Sequence, residues 1–194
     1  RTGTKAVSVA QDAQGIALTV EIDRQHQVLK AESLLIAVGR KPNVEGLDLE
    51  KAGVAFGPKG VVVDRYLRTT AQNIYACGDV VGPYQFSHMT EYQAVTATRN
   101  AFLPFRKKVN YDTVAWCTFT DPELAHAGMT EDEARAAGHD PIAGKFAFGA
   151  NGRAVAMTHA EGFVKVVADR ASKLILGFTI CGPEASDLVA EAAL

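Results

Sequence analysis

The sequence predicts a mixed α/β and α+β chain. Three observations carry this. Two short apolar runs, residues 33–38 and 74–77, end abruptly in glycine, as strands buried on both faces of a parallel sheet do. Residues 87–103 carry helical spacing and stop at Pro104. From about residue 110 the runs become short and β-rich between turns, the pattern of an antiparallel sheet with helices on one side.

Each element has a local reason. Val7 and Val9 alternate with Ala6, Ser8 and Ala10, and residues 11–15 are turn chemistry. Ile16, Leu18, Val20 and Ile22 alternate as a half-buried strand should, and after a turn at 23–27 residues 28–32 return antiparallel. The run 33–38 closes in Gly39-Arg40-Lys41-Pro42-Asn43, a loop because Pro42 holds Lys41 extended. Residues 47–53 read as one or two helical turns closed by Gly53. A turn at 57–60 leads into a strand at 61–64, and Thr69-Thr70 precedes the strand 74–77, which is tipped by Gly78 and Asp79.

Ser87 is the expected cap of the central helix, with Met89, Tyr92, Val95, Thr96 and 99–103 on its periodic positions. Residues 114–120 read as a strand closed by Asp121-Pro122. Thr130 and Glu133 form a capping box opening a helix that Gly138 ends. Strands are expected at 141–148, 154–158, 162–168 and 174–181. Pro183 then starts a helix striped by Ala185, Leu188, Val189 and Ala192.

The Gly78-Asp79 tip carries chemistry. Glycine lets a ligand approach the backbone, and the carboxylate sits where α/β sheets bind ligands, at the carboxyl end of a strand. Hydroxyls of a sugar or polyol are its natural partners. The next helix start offers N–H groups and positive partial charge, so a ligand with polar oxygens fits between Asp79 and the amides of Gln85, Phe86, Ser87 and His88. A strand followed by an Asp-capped turn is the plain alternative. His88 reads as a site residue or as a partly buried first-turn histidine with no proton-transfer role. Arg40 reads as a phosphate contact or as a solvated surface residue.

Composition narrows the class. The 194 residues suffice for one domain or two small ones, and 47% are hydrophobic, enough for a sizeable core. A net charge of -2 gives no nucleic-acid footprint. No apolar run approaches the ~20 residues of a membrane span, and no signal peptide is visible, so a cytoplasmic location is expected. Cys77, Cys117 and Cys181 are odd in number and widely spaced, which argues against a disulfide scaffold and a zinc site, and no metal site is expected. The chain opens on Arg1 rather than Met and is expected to be a fragment.

Three stretches together resemble the pyridine nucleotide–disulfide oxidoreductases, the flavoproteins that include dihydrolipoamide dehydrogenase, mercuric reductase and glutathione reductase. They are Ala37-Val38-Gly39-Arg40-Lys41-Pro42-Asn43; Thr69-Thr70 through Ile74-Tyr75-Ala76-Cys77-Gly78-Asp79; and Phe119-Thr120-Asp121-Pro122-Glu123-Leu124-Ala125 with Gly128-Met129-Thr130-Glu131. The resemblance covers essentially the whole chain. Gln85-Phe86 is similar to mercuric reductase and its relatives, whereas His88 also matches dihydrolipoamide dehydrogenases.

The resemblance implies a layout and a site. Residues 1–38 would end an NAD(P)-binding domain, 39–112 would complete the FAD site, and 113–194 would begin an interface domain through which two copies pair. Asp79, beside Gly78, would bind the FAD ribityl chain, and Gln85, Phe86, Ser87 and His88 would border the isoalloxazine. Gly39 would lie against NAD(P)H, with Arg40 a weaker candidate for a cofactor phosphate. The family's glycine-rich turns, its redox cysteine pair and its His-Glu pair have no match here, so no catalytic residue is assigned, His126 and His159 included. The parent protein would pass electrons from NAD(P)H through FAD to a disulfide, a metal ion or a similar acceptor, and this chain alone is expected to be inactive. The competing reading is a non-catalytic dimerisation or interaction module.

Overall fold

Alternation builds the first three strands. In a computed structural model that describes residues 1–13, 15–112 and 114–194, β1 (Thr4–Asp12), β2 (Gly15–Ile22) and β3 (Gln25–Ala31) form an antiparallel meander. Gln14 of the first expected turn, and Thr113 at the expected start of the second part, lie outside the described residues. Asp23 and Arg24 make the second turn with φ of 50° and 63°, so β3 begins three residues earlier than its apolar pattern suggests. β2 lies between its two neighbours and carries the buried Val20. This meander belongs to a unit spanning Arg1–Lys41, and a second unit spans Pro42–Leu194.

Residues 33–38 correct the sequence reading. They form no strand, and Leu35, Ile36 and Val38 are 90%, 73% and 90% exposed. An apolar run becomes a strand only when a neighbour takes up its backbone N–H and C=O groups, and among the described residues none does.

The second unit opens with a turn at 48–54. The Asp48 carbonyl accepts from the Lys51 and Ala52 N–H groups, and Gly53 closes the turn at φ +70°, so the expected helical turns are present but no helix propagates. β4 (Phe56–Gly57) and β5 (Gly60–Val61) follow as a short ribbon. Residues 74–77 are not a strand either. The Thr69 N–H donates to the Ile74 carbonyl and the Ala76 N–H to the Leu67 carbonyl, leaving a single bridge at Tyr75. The segment is thus pinned locally by residues 67–69, whose Leu67 is fully buried, rather than laid into a sheet. Thr70 adds a tie, donating its hydroxyl to the Gly53 carbonyl while accepting from the Ala55 N–H.

After α1 (Ser87–Phe102) the chain builds a five-stranded antiparallel sheet. Its strands are β6 (Ala115–Thr118), β7 (Glu123–Gly128), β8 (Pro141–Ala147), β9 (Phe163–Asp169) and β10 (Ile175–Gly182), in the order β6-β7-β10-β9-β8. Between them lie α2 (Glu131–Ala136) and α3 (Gly152–Ala156), and α4 (Ala185–Ala192) follows β10. The core joins Ala125, Ala127 and Ile180 of the sheet to Ala185 and Val189 of α4. Alanine on both surfaces lets helix and sheet approach closely.

Four local findings differ from the sequence reading. β7 is a strand without a β-branched residue, so its pattern is silent, yet it pairs on both sides. Residues 154–158 are not a strand: the Asn151 side chain accepts from the Arg153 and Ala154 N–H groups and starts α3 instead. Pro183 precedes the N-cap of α4, which is Glu184 at φ +54°. Leu188, expected on the buried stripe, is 45% exposed. The capping box of α2 forms as expected, with the Glu133 carboxylate accepting from the Thr130 N–H at 2.8 Å and drawn below its ordinary pKa by that bond.

The turn from β9 to β10 is organised by Asp169. Its carboxylate accepts from the Ser172 N–H at 2.7 Å, the Ser172 hydroxyl at 2.8 Å and the Ala171 N–H at 3.1 Å, with the Asp140 N–H at 3.4 Å. These donors, Ser172 first, lower its pKa from 3.8 to about 2. A depressed carboxylate stabilises the fold above its unfolded pKa, and that contribution is lost as pH falls through the folded value. The urea midpoint of the wild-type chain is therefore expected to drop between pH 3.8 and about 2. In Asp169→Asn the drop over that window should be smaller. Identical acid profiles would remove Asp169 as the cause.

Candidate functional site

One helix carries the site. The buried face of α1 is Met89, Gln93, Thr96, Ala97 and Asn100, while Val95 and Phe102, on expected core positions, are 66% and 83% exposed. Apolar periodicity finds Met89 and Thr96 but misplaces Val95 and Phe102, because the segments around α1 are loops. Their backbone groups have no ladder to join, and polar side chains from the helix satisfy them.

Asn100 holds the far end. Its amide donates to the Tyr66 and Lys107 carbonyls at 2.9 and 2.8 Å, and its oxygen accepts from the Lys107 N–H at 2.7 Å. Gln93 holds the near end and is 0% exposed. Its oxygen accepts from the Gly78 N–H at 2.6 Å, and its amide donates to the Gly82 carbonyl and the Tyr111 hydroxyl, both at 3.0 Å. Burial is the main cause of the raised Tyr111 pKa, and the Gln93 bond opposes it.

Gly78 and the half-buried Asp79 lie in a 3-10 turn, Gly78–Val80, set against α1. Gly78 has φ +83°, and a Cβ there would stand 3.0 Å from the Thr90 side chain. Two needs, a left-handed backbone and close approach to α1, select glycine. Asp79 therefore sits beside the first two turns of the helix rather than at the tip of a strand.

Ser87 is the first residue of α1, not its cap. The N-cap is Phe86, in extended conformation, and no side chain caps the helix start. The Met89 and Thr90 N–H groups reach back to the Phe86 carbonyl, so the amides ahead of them precede the first intrahelical acceptor. His88 is exposed rather than partly buried, and its Nε2 donates to the Ala115 carbonyl at 2.8 Å. The Phe86 ring lies parallel to His88, with centroids 5.5 Å apart, and to Trp116 at 6.4 Å. Trp116 in turn meets the buried His126, whose Nε2 donates to the Gly128 carbonyl while Nδ1 accepts from the Thr179 hydroxyl.

Gln85, Phe86, Ser87 and His88 are thus gathered at one helix start, with the Gly78-Asp79 turn against the same helix. A concavity of about 490 Å³ adjoins this start, lined by His88, Met89, Tyr92, Lys107 and Ala115 among others. A larger cleft of about 750 Å³, between the Asp121-Pro122 turn, α3 and the start of α4, contains none of the expected site residues. Gly39 and Arg40 belong to the first unit, where both are exposed and Gly39 takes φ +121°, a backbone for glycine. Cys77 is a free thiol and half-buried. Cys117 is also free, and burial pushes its pKa up, the opposite of activation. Among the described residues no three His, Cys, Asp or Glu side chains come together to hold a metal, and no helix is long and apolar enough to cross a membrane.

Gln93 and Trp116 are the residues that sequence reasoning missed. Gln93 had a signal: it sits four residues from Met89 and four from Ala97, a polar side chain in an apolar row. Trp116 had none beyond its place in a strand.

Comparison with known proteins gives two family matches. Residues 1–102 match the pyridine nucleotide-disulphide oxidoreductase family, and residues 114–194 match the dimerisation domain of the same family. The whole chain is similar to the dihydrolipoyl dehydrogenases of Thermus scotoductus, 40% identical, and Mycobacterium leprae, 39% identical, and spans 42% of each. Among solved structures, 98% of the chain superposes on 41% of LpdA from Mycobacterium tuberculosis with a TM-score of 0.87 at 28% identity. The HOCl-induced flavoprotein disulfide reductase RclA from Escherichia coli gives 0.82 at 27% identity, over 97% of this chain and 43% of that one.

The Gly78 geometry is testable against Gly53, which also has positive φ but open space around its Cβ position. In urea unfolding, Gly53→Ala should cost about 1 kcal/mol of backbone strain, and Gly78→Ala roughly 2–3 because Thr90 must also move. Equal losses would remove the close approach from the account.

Proposed function

Because this chain belongs to the pyridine nucleotide–disulphide oxidoreductase family, we propose that it is the C-terminal part of an FAD-dependent NAD(P)H oxidoreductase. The parent protein passes electrons from NAD(P)H through FAD to a disulfide, a metal ion or a similar acceptor. Residues 1–38 close the NAD(P)-binding domain, 39–112 complete the FAD site, and 113–194 form the interface through which a homodimer assembles. The cellular setting of this reading is the cytoplasm.

The observation that carries the proposal is the Gly78-Asp79 turn set against the helix that Phe86, Ser87 and His88 begin. The donor set fits FAD: a carboxylate that accepts from ribityl hydroxyls, and helix-start amides that donate to a pyrimidine oxygen. Bound FAD supplies the two-electron chemistry, and the protein supplies position. Asp79 fixes the polyol chain. Gln85, Phe86, Ser87 and His88 border the ring, with Phe86 presenting an aromatic edge braced by Trp116. Gly39 leaves its backbone open to NAD(P)H, and Arg40 offers a cation to a cofactor phosphate. The redox cysteines and the His-Glu proton pair come from outside this chain, which alone does not turn over.

A second reading, a dimerisation module without cofactor, rests on residues 114–194. They match a dimerisation domain and have a core of their own. Two measurements separate the readings. Incubation with FAD and desalting is the first: a retained flavin band would support the cofactor reading, and Asp79→Ala should then weaken FAD binding about tenfold, the value of a charged hydrogen-bond acceptor. A colourless chain that is dimeric by light scattering would favour the module. A monomeric chain would count against the homodimer in either reading.

A further inference from the structure

We propose that Gln93 is the positioning residue of the candidate cofactor site: it holds the Asp79 turn and the approach to the helix start in one geometry. The proposal rests on the reading of Asp79 as a cofactor ligand and adds a residue to it.

The geometry is specific. The Gly78 N–H, immediately before Asp79, ends on the Gln93 oxygen at 2.6 Å. The Gly82 carbonyl, three residues after Asp79 and three before Gln85, takes one Gln93 amide bond at 3.0 Å. One fully buried side chain therefore clasps both ends of the turn that carries Asp79. Its other amide contact, the Tyr111 hydroxyl, lies between the two family matches, which end at residue 102 and resume at 114. Thr90, one helical turn earlier, supports Gly78 from the same face.

The chemistry of the clasp dictates its residue type. One backbone donor and two oxygen acceptors meet at a single buried point. A neutral amide offers one acceptor oxygen and two N–H donors there. A carboxylate keeps the Gly78 contact and can accept from the Tyr111 hydroxyl, but it turns an oxygen on the Gly82 carbonyl, which has no proton to give. Burial and that repulsion would raise the pKa of a glutamate at 93, so its protonated form, which regains one donor, would prevail at low pH. The raised pKa fixes the sign: Gln93→Glu should hold the turn below the shifted pKa and release it as pH rises.

Two readouts test this. Hydrogen exchange on the 194-residue chain needs no cofactor. In Gln93→Glu, amides of residues 78–82 should exchange at least tenfold faster at about pH 8 than at about pH 5, after correction for intrinsic rates, with β9 and β10 unchanged. Wild-type protection should show no such pH dependence. The second readout is FAD affinity. Gln93→Glu should weaken binding about tenfold at about pH 8, with partial recovery at about pH 5. In an Asp79→Asn background the same change should cost little, because both act on one contact.

Unchanged exchange at 78–82 would overturn the clasp. FAD binding by the wild type that weakens equally with and without Asp79 would overturn positioning through Asp79. Failure of the wild-type chain to bind FAD is a different result: it overturns the cofactor reading of this chain, while the exchange data still decide whether Gln93 holds the turn.

Discussion

Two buried side-chain amides on one helix face hold the middle of this molecule. Gln93 and Asn100 lie seven residues apart on α1, and each ties loop segments that no sheet supports. An unmet backbone group in such a place costs about 1–3 kcal/mol. Between them the two amides meet two N–H groups and three carbonyls of the surrounding chain. Residues 64–82 and 107–111 are held by that matching together with the burial of Leu67. Among the described residues, the two largest side chains fully shielded from solvent are the apolar Leu67 and the polar Gln93.

This constraint explains why the sequence is legible in some places and opaque in others. Strands that pair locally read well: β2 and β3 follow from alternation and a short turn, and β9 and β10 from apolar runs around Asp169. The capping box of α2 reads well because it closes within four residues. Residues 33–38 and 74–77 carry the composition of buried strands, but strand identity needs a neighbour, and composition does not name one. β7 shows the converse, since its pairing comes entirely from β6 and β10 on either side. A run of Ala, His and Gly becomes a strand there because its partners require one.

The candidate site divides in the same way. Gly78, Asp79 and residues 85–88 are legible because they stand next to each other in sequence and their chemistry is local: a glycine, a carboxylate, a helix start. The supports are not. Gln93 reaches back fifteen residues to Gly78, and Trp116 and His126 reach the helix start across a strand pair. Reading α1 by apolar spacing places Val95 and Phe102 inside and misses the amides. The error is physical, because a helix packed on loops buries what their backbones need rather than what is most hydrophobic.

The helix start is also where two parts of the chain meet. His88 donates to the Ala115 carbonyl at the beginning of β6, and Phe86 lies parallel to Trp116 on the same strand. Trp116 is held from behind by His126, whose ring is fixed by donation to a carbonyl on one side and acceptance from a hydroxyl on the other. The ring that borders the candidate site from the α1 side is therefore set by the five-stranded sheet, while the carboxylate beside it is set by α1. A displacement of β6 against α1 would separate Phe86 from Trp116 and stretch the His88 bond together. The site consequently needs both parts in register, and the short segment from Lys107 to Tyr111, tied to Asn100 and Gln93, is the chain that keeps them so.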